Sequence, residues 1–234
     1  VCDSGLSRKM IDARSGNMNF LNEKWATSIG LIAAAFFLSG IAGCQTTAQN
    51  SGFLSDYSQL RPSKIVKGAM DYRNPKLNLA KYNKFILEPY RVYFAANADG
   101  IGIDPTELKN LVDYFRNETV KALSKRYRVV NRAGPGVARI RVAITSITKT
   151  KPVVNNLPQG KLLGVGLGGA SMEAEAFDSQ TGERLTAIVE SRQGAHFSFG
   201  DAVSRYGHAK QVMRYWIERF VKRLDRAHGF KTKS

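Results

Sequence analysis

The 234-residue chain is 43% hydrophobic and 23% charged, the balance of a globular protein, which excludes a chain too polar to bury a core. Its 35 basic side chains face only 19 acidic ones, a net charge of +16, and such an excess points to an anionic partner: nucleic acid, phospholipid or an acidic polymer. Two cysteines, Cys2 and Cys44, exclude a disulfide-dense scaffold.

Residues 1–17 precede Met18, which opens the compact stretch MNFLNEKWATSIG. They are read as an upstream extension of the reading frame that takes Cys2 with it. Residues 18–43 have the plan of a secretory signal, with Lys24 ahead of an uncharged run from Ala26 to Gly43. That run approaches the length of a transmembrane helix, so an uncleaved anchor is the alternative. Its Ala and Gly content and the lack of a basic stop favour the signal. It ends in LSGIAGC, and Ile41, Ala42, Gly43 and Cys44 resemble the lipobox of bacterial lipoproteins, with Ile41 in place of the usual Leu.

That resemblance implies a diacylglycerol thioether on Cys44, cleavage before it, and a further acyl chain such as palmitate on the freed amine. One acyl chain binds a bilayer marginally, whereas two or three hold it firmly. Gln45 carries no signal for inner-membrane retention, so the resemblance implies the periplasmic face of the outer membrane. There nucleic acid drops out as a partner. Lipopolysaccharide phosphates, acidic lipids, peptidoglycan and envelope polysaccharides remain. Loss of residues 1–43 leaves 31 basic against 16 acidic side chains, so the charge belongs to the exported part.

Residues 44–79 read as a lipidated tether, with Phe53, Leu54, Tyr57 and Leu60 docking part of it on the domain. A single domain is expected over residues 80–230, with a basic tail at 231–234. KFILEPYRVYF, from Lys84 to Phe94, is β-rich, and Pro89 marks an edge or a bulge. Asp104-Pro105-Thr106-Glu107 is a helix start, and Leu108, Leu111, Val112, Phe115 and Leu123 follow at helical spacing. Arg128 to Val130 is a short strand. VARIRVAITSI alternates, with Ile140, Val142 and Ile144 on one face and Arg139, Arg141 and Thr145 on the other. SMEAEAFD and ERLTAIVESR are two further strands, joined by SQTG with Gly182 at positive φ. A last helix is expected from near Asp201, burying Ala202, Tyr206, Ala209, Met213, Trp216, Ile217, Phe220 and Leu224. The order β-α-β-β-β-β-α predicts an α+β two-layer sandwich, a mostly antiparallel sheet with two helices on one face.

SGFLSDYSQLRP, YNKFILEPYRVYF, GPGVARIRVAITSI and EAEAFDSQTGERLTAIVESRQG resemble, in order, the blocks of a bacterial lipoprotein family catalogued as domain of unknown function 3313. No activity is established for that family, so the resemblance implies a location and no catalytic residues. The element order also resembles small envelope-lipoprotein domains of oligomeric secretion assemblies, an analogy that implies envelope protein partners or a homo-oligomer.

Gly164 to Gly169 matches G-x-G-x-x-G, but a strand follows it where a dinucleotide site needs a helix. A strand entry with close backbone packing, or an apolar contact loop, is expected instead. Glu173 and Glu175 share a strand face near Arg139 and Arg141. Paired carboxylates serve glycosidases, and cross-strand ion pairs are the simpler account. His196, His208 and His228 show no metal-ligand spacing, and no cofactor is indicated. Nine basic residues crowd between Arg205 and Ser234, with Arg205, Arg219, Lys222, Arg223 and Arg226 projecting on one helical flank. They are a solvated face or a contact for anionic lipid, lipopolysaccharide or polysaccharide. The expected function is a non-enzymatic envelope lipoprotein with a structural, assembly or anionic-partner role. The alternative is a hydrolase of a cell-wall or surface polysaccharide.

Overall fold

Alternation in VARIRVAITSIT builds the central strand. In the computed structural model, which describes residues 50–94, 98–149, 168–194 and 204–231, the strands are β1 (Arg61–Pro62), β2 (Met70–Arg73), β3 (Lys84–Leu87), β4 (Arg91–Val92), β5 (Arg128–Val129), β6 (Val137–Thr148), β7 (Gly169–Asp178) and β8 (Arg184–Gln193). The helices are α1 (Pro105–Leu123) and α2 (Gly207–Ala227). All described residues belong to one compact unit, Gln45–Ser234.

The sheet runs β1-β2-β8-β7-β6-β3-β5, with β4 also paired to β6. β1, β2, β8, β7 and β6 pair antiparallel, and β3, β4 and β5 join in parallel. Both helices pack on one face. Asp104 caps α1 by accepting from the N–H groups of Thr106 and Glu107 at 2.9 and 3.1 Å, and Pro105 occupies the first turn, where no donor is lost. Leu111, Phe115 and Leu123 are buried beneath it. Tyr127 O–H and Arg126 both reach Asp225, so the chain after α1 is tied to the end of α2. The helix-side core is joined by edge contacts of Phe85 with Tyr127 and Phe220, and of Phe115 with Tyr90.

Several elements differ from the sequence reading. Lys84–Phe94 is two strands, because Pro89 has no N–H for the ladder, and Tyr90 turns into the core between them. Residues read as tether contribute β1 and β2 to the sheet. The described start of α2 is Gly207, after a turn at Ser204–Tyr206; Asp201 and Ala202 lie outside the described residues, as do residues 1–49. Two bulges break the alternation. One between Ile144 and Ser146 turns Ile147 to the same core as Ile144, and one beside Ala176 puts Leu185 in the helix-side core. Gly182 does sit at φ 71°.

Candidate functional site

Helix α2 forms the roof of the site. Its Ala209, Val212, Met213, Trp216, Ile217 and Leu224 recur at three- and four-residue steps and are buried. Beneath it the period-2 alternation of β7 and β8 delivers Met172, Ala174, Ala176, Thr186 and Ile188. Ala174, Ala176 and Thr186 are too small to reach the helix, and a cavity of about 350 Å³ is left. Tyr90, Phe115, Trp216 and Phe220 contribute aromatic walls.

The lining changes character outward. Arg73 from β2 and Lys222, Arg223 and Arg226 from α2 also line this cavity, and none of the four has an ion pair within 4.0 Å among the described residues. Arg223 is half-buried. Burial, then the neighbouring charges of Arg73 and Arg219, hold its pKa below the usual guanidinium value, with Asp71 opposing. Asp71 and Glu218 line the same cavity and offset part of this charge, but the four cations outnumber them, and Glu175, also in the lining, is already paired with Arg141 and Arg184.

The structure does not keep the predicted basic flank together. Lys222, Arg223 and Arg226 stay together. Arg205 lies ahead of α2, where it pairs with Glu107 at 3.4 Å, about 20 Å along the axis from Arg219. Arg219 is not a free cation either. Its guanidinium donates twice to the carboxylate of Glu190, which is 1% exposed, once at 2.9 Å and once at shorter range. Burial pulls its pKa down, but the hydrogen bond and charge of Glu190 outweigh this, and the net shift is upward. Arg73 was missed because a four-residue strand such as β2 is too short to show a period. Cys44, Ile41, Ala42 and Gly43 lie outside the described residues, and so do Gly164 to Leu167. The end of that loop is described: a Cβ on Gly169 would meet the Arg192 carbonyl at 2.5 Å, the mark of close backbone packing at the strand entry.

On the other sheet face Glu175 forms the expected cross-strand pair with Arg141, its register partner on β6, and the difference lies in burial: Glu173 and Glu175 are 0% and 1% exposed. Residues 51–60 cross that face and cover them. Ser51 N–H donates to Glu173 at 2.7 Å, and Tyr57 O–H donates to its other oxygen. Ser55 donates to Glu175 from both backbone N–H and hydroxyl, while Arg141 reaches it at 2.7 Å and Arg184 at 3.3 Å. Arg139 pairs instead with Glu88 at 3.3 Å. Phe53, Leu54 and Leu60 bury themselves against Ala143, Ala187 and Val189. Lone pairs committed to these donors, under a layer of chain, leave no substrate access. Among the described residues no cluster of three or more His, Cys, Asp or Glu side chains suits a metal ion.

A family model described as "Protein of unknown function (DUF3313)" matches residues 49–220. Uncharacterized lipoprotein YdcL of Escherichia coli K12 is 23% identical over 208 residues, which span 80% of this chain and 92% of that protein. Among solved structures, the PelC dodecamer from Paraburkholderia phytofirmans is similar at a TM-score of 0.38 and 12% identity, over 63% of this chain and 93% of that one. XCC0632 from Xanthomonas campestris, of family DUF330, is similar at 0.34 and 9% identity, over 65% and 89%. The chain belongs to the DUF3313 family, bacterial lipoproteins of unknown function.

Proposed function

We propose that this member of the family is held by acyl chains on Cys44 at the periplasmic face of the outer membrane, and that its domain is a non-enzymatic envelope component binding an anionic partner. The observation that carries the reading is the group of four cations, Arg73, Lys222, Arg223 and Arg226, lining one cavity without acidic partners within ion-pair distance among the described residues. Phosphate-bearing lipid or lipopolysaccharide suits them, since each cation near an anionic surface contributes about 1 kcal/mol. Anchoring rests on LSGIAGC and on the lipoprotein relative. Seven residues lead from Cys44 to Ser51, a span of at most about 25 Å, so acylation would keep the domain beside a bilayer. The hydrolase alternative has no observation in its favour, because the carboxylate pair is sealed.

Two measurements test this. Cys44→Ser should leave an uncleaved precursor that takes up no labelled palmitate; normal maturation of that variant refutes the anchor. The protein from Gln45 onward should bind phosphatidylglycerol vesicles more weakly as salt rises. The Arg73→Gln, Lys222→Gln, Arg223→Gln, Arg226→Gln variant should lose most of that binding. Equal binding by both proteins at low salt refutes the partner site.

A further inference from the structure

We infer that the cavity beneath α2 takes one acyl chain of an anionic lipid, whose headgroup is held by Arg73, Lys222, Arg223 and Arg226. The inference deepens the anionic-partner reading and rests on it. A volume of about 350 Å³ lies near the lower end of small-molecule sites, about 300–1,000 Å³, which suits a single chain better than a bulky ring system.

The polar inventory of the interior selects the occupant's chemistry. Thr119 donates to the Phe115 carbonyl at 2.8 Å, and Thr186 donates to the Tyr72 carbonyl at 2.8 Å. Tyr90 is hydrogen-bonded to Thr119. These groups are spent on the protein itself, and of the buried side-chain polar atoms in the described lining Trp216 Nε1 alone lacks a partner. A sugar or a peptide entering here would lose its hydrogen bonds to water and regain almost none. An alkyl chain loses nothing of the kind and gains contact with Ile140, Met172, Ile188 and the aromatic walls. With Arg219 paired to Glu190 and Glu175 to Arg141 and Arg184, the four cations Arg73, Lys222, Arg223 and Arg226 outnumber the remaining carboxylates of the lining, Asp71 and Glu218, so the favoured ligand is apolar along its length and anionic at one end. An apolar peptide segment is the main competitor for the same space, and it does not account for the charge.

Photolabelling tests this on the full chain, reconstituted in phosphatidylcholine vesicles that carry a trace of phosphatidylglycerol with a mid-chain diazirine. After irradiation, peptide mass spectrometry should find adducts on Met172 or Ala174 and on Trp216 or Phe220, displaced by unlabelled phosphatidylglycerol. Ala174→Trp, which fills the cavity, and the four-Gln variant should each cut that yield at least about tenfold. The same diazirine on phosphatidylcholine should label these positions far less. Displacement in the wild-type protein decides the matter even where Ala174→Trp fails to fold. Adducts confined to exposed residues away from the cavity, such as Ile101, would overturn the inference, and so would cavity adducts equally strong with the zwitterionic probe. Salt-dependent vesicle binding without cavity adducts would sink this inference alone and leave the surface reading standing. Loss of both would sink the two together.

Discussion

Removing the Arg219 guanidinium should destabilise the fold, although the residue sits on what the sequence presents as a solvated flank. Glu190 faces α2 from β8 and is 1% exposed. Arg219 supplies two hydrogen bonds to it, while Arg192, at 3.4 Å, is the more exposed second neighbour. Deleting one partner of a buried pair leaves a charge without compensation, which costs about 3–5 kcal/mol. Arg192 remains to screen it, so Arg219→Gln belongs near the lower end, about 3 kcal/mol. In a domain of this size that corresponds to a fall in Tm of about 6–12 °C. Urea unfolding followed by circular dichroism measures it. Replacing both partners with apolar groups of similar volume, Glu190→Leu with Arg219→Met, should recover most of the loss. An Arg219→Gln variant within about 0.5 kcal/mol of wild type, or a double variant no better than the single, would refute this role for the pair. The binding test therefore neutralises Arg73 and leaves Arg219 intact.

Two further outcomes are expected. Gly182 adopts φ 71°, and a Cβ added there would meet nothing within 4 Å, so Gly182→Val should cost about 1 kcal/mol or more through backbone strain alone; unchanged denaturation would place the turn elsewhere. Burial pushes the Tyr90 hydroxyl from its ordinary 10 to about 12. A folded value above the unfolded one gives stability that is complete below pH 10 and lost as pH rises from 10 through 12. The denaturation midpoint should fall over that window, less steeply in Tyr90→Phe, and identical profiles for the two proteins would contradict the assignment.

Local patterns were readable where they obey a period. β6, β7, β8, the buried stripe of α1 and the hairpin at Gly182 all follow from alternation, helical spacing or turn chemistry. What escaped depends on distance in sequence. Glu190 and Arg219 are 29 residues apart and meet only when α2 lies on β8, so a helical projection shows Arg219 as an outward cation. Ala174 and Ala176 read correctly as strand positions, but the space their small size leaves appears only once Trp216 and Phe220 are set above them. The bulges beside Thr145 and Leu185 each shift one residue to the other face, and a strict alternation cannot show that.

The segment ahead of β1 shows what a local reading carries and what it does not. Phe53, Leu54, Tyr57 and Leu60 read as docking groups, and residues 51–60 do form such a cover, but the polar contacts of Ser51, Ser55 and Tyr57 with Glu173 and Glu175 join positions more than a hundred residues apart. Detaching the cover would re-solvate Glu173 and Glu175 but expose Phe53, Leu54 and Leu60 together with Ala143, Ala187 and Val189. The loss is therefore mainly of apolar burial, at about 25 cal/mol per Å², while the carboxylates determine where the cover can sit. Ser51 N–H and Tyr57 O–H fit Glu173, and Ser55 fits Glu175 one alternate position along the same strand. A one-residue slip would take each donor off its carboxylate and each apolar side chain off its seat. The cover thus has a single register, and the chain leading from Cys44 enters the domain at a defined point on the sheet.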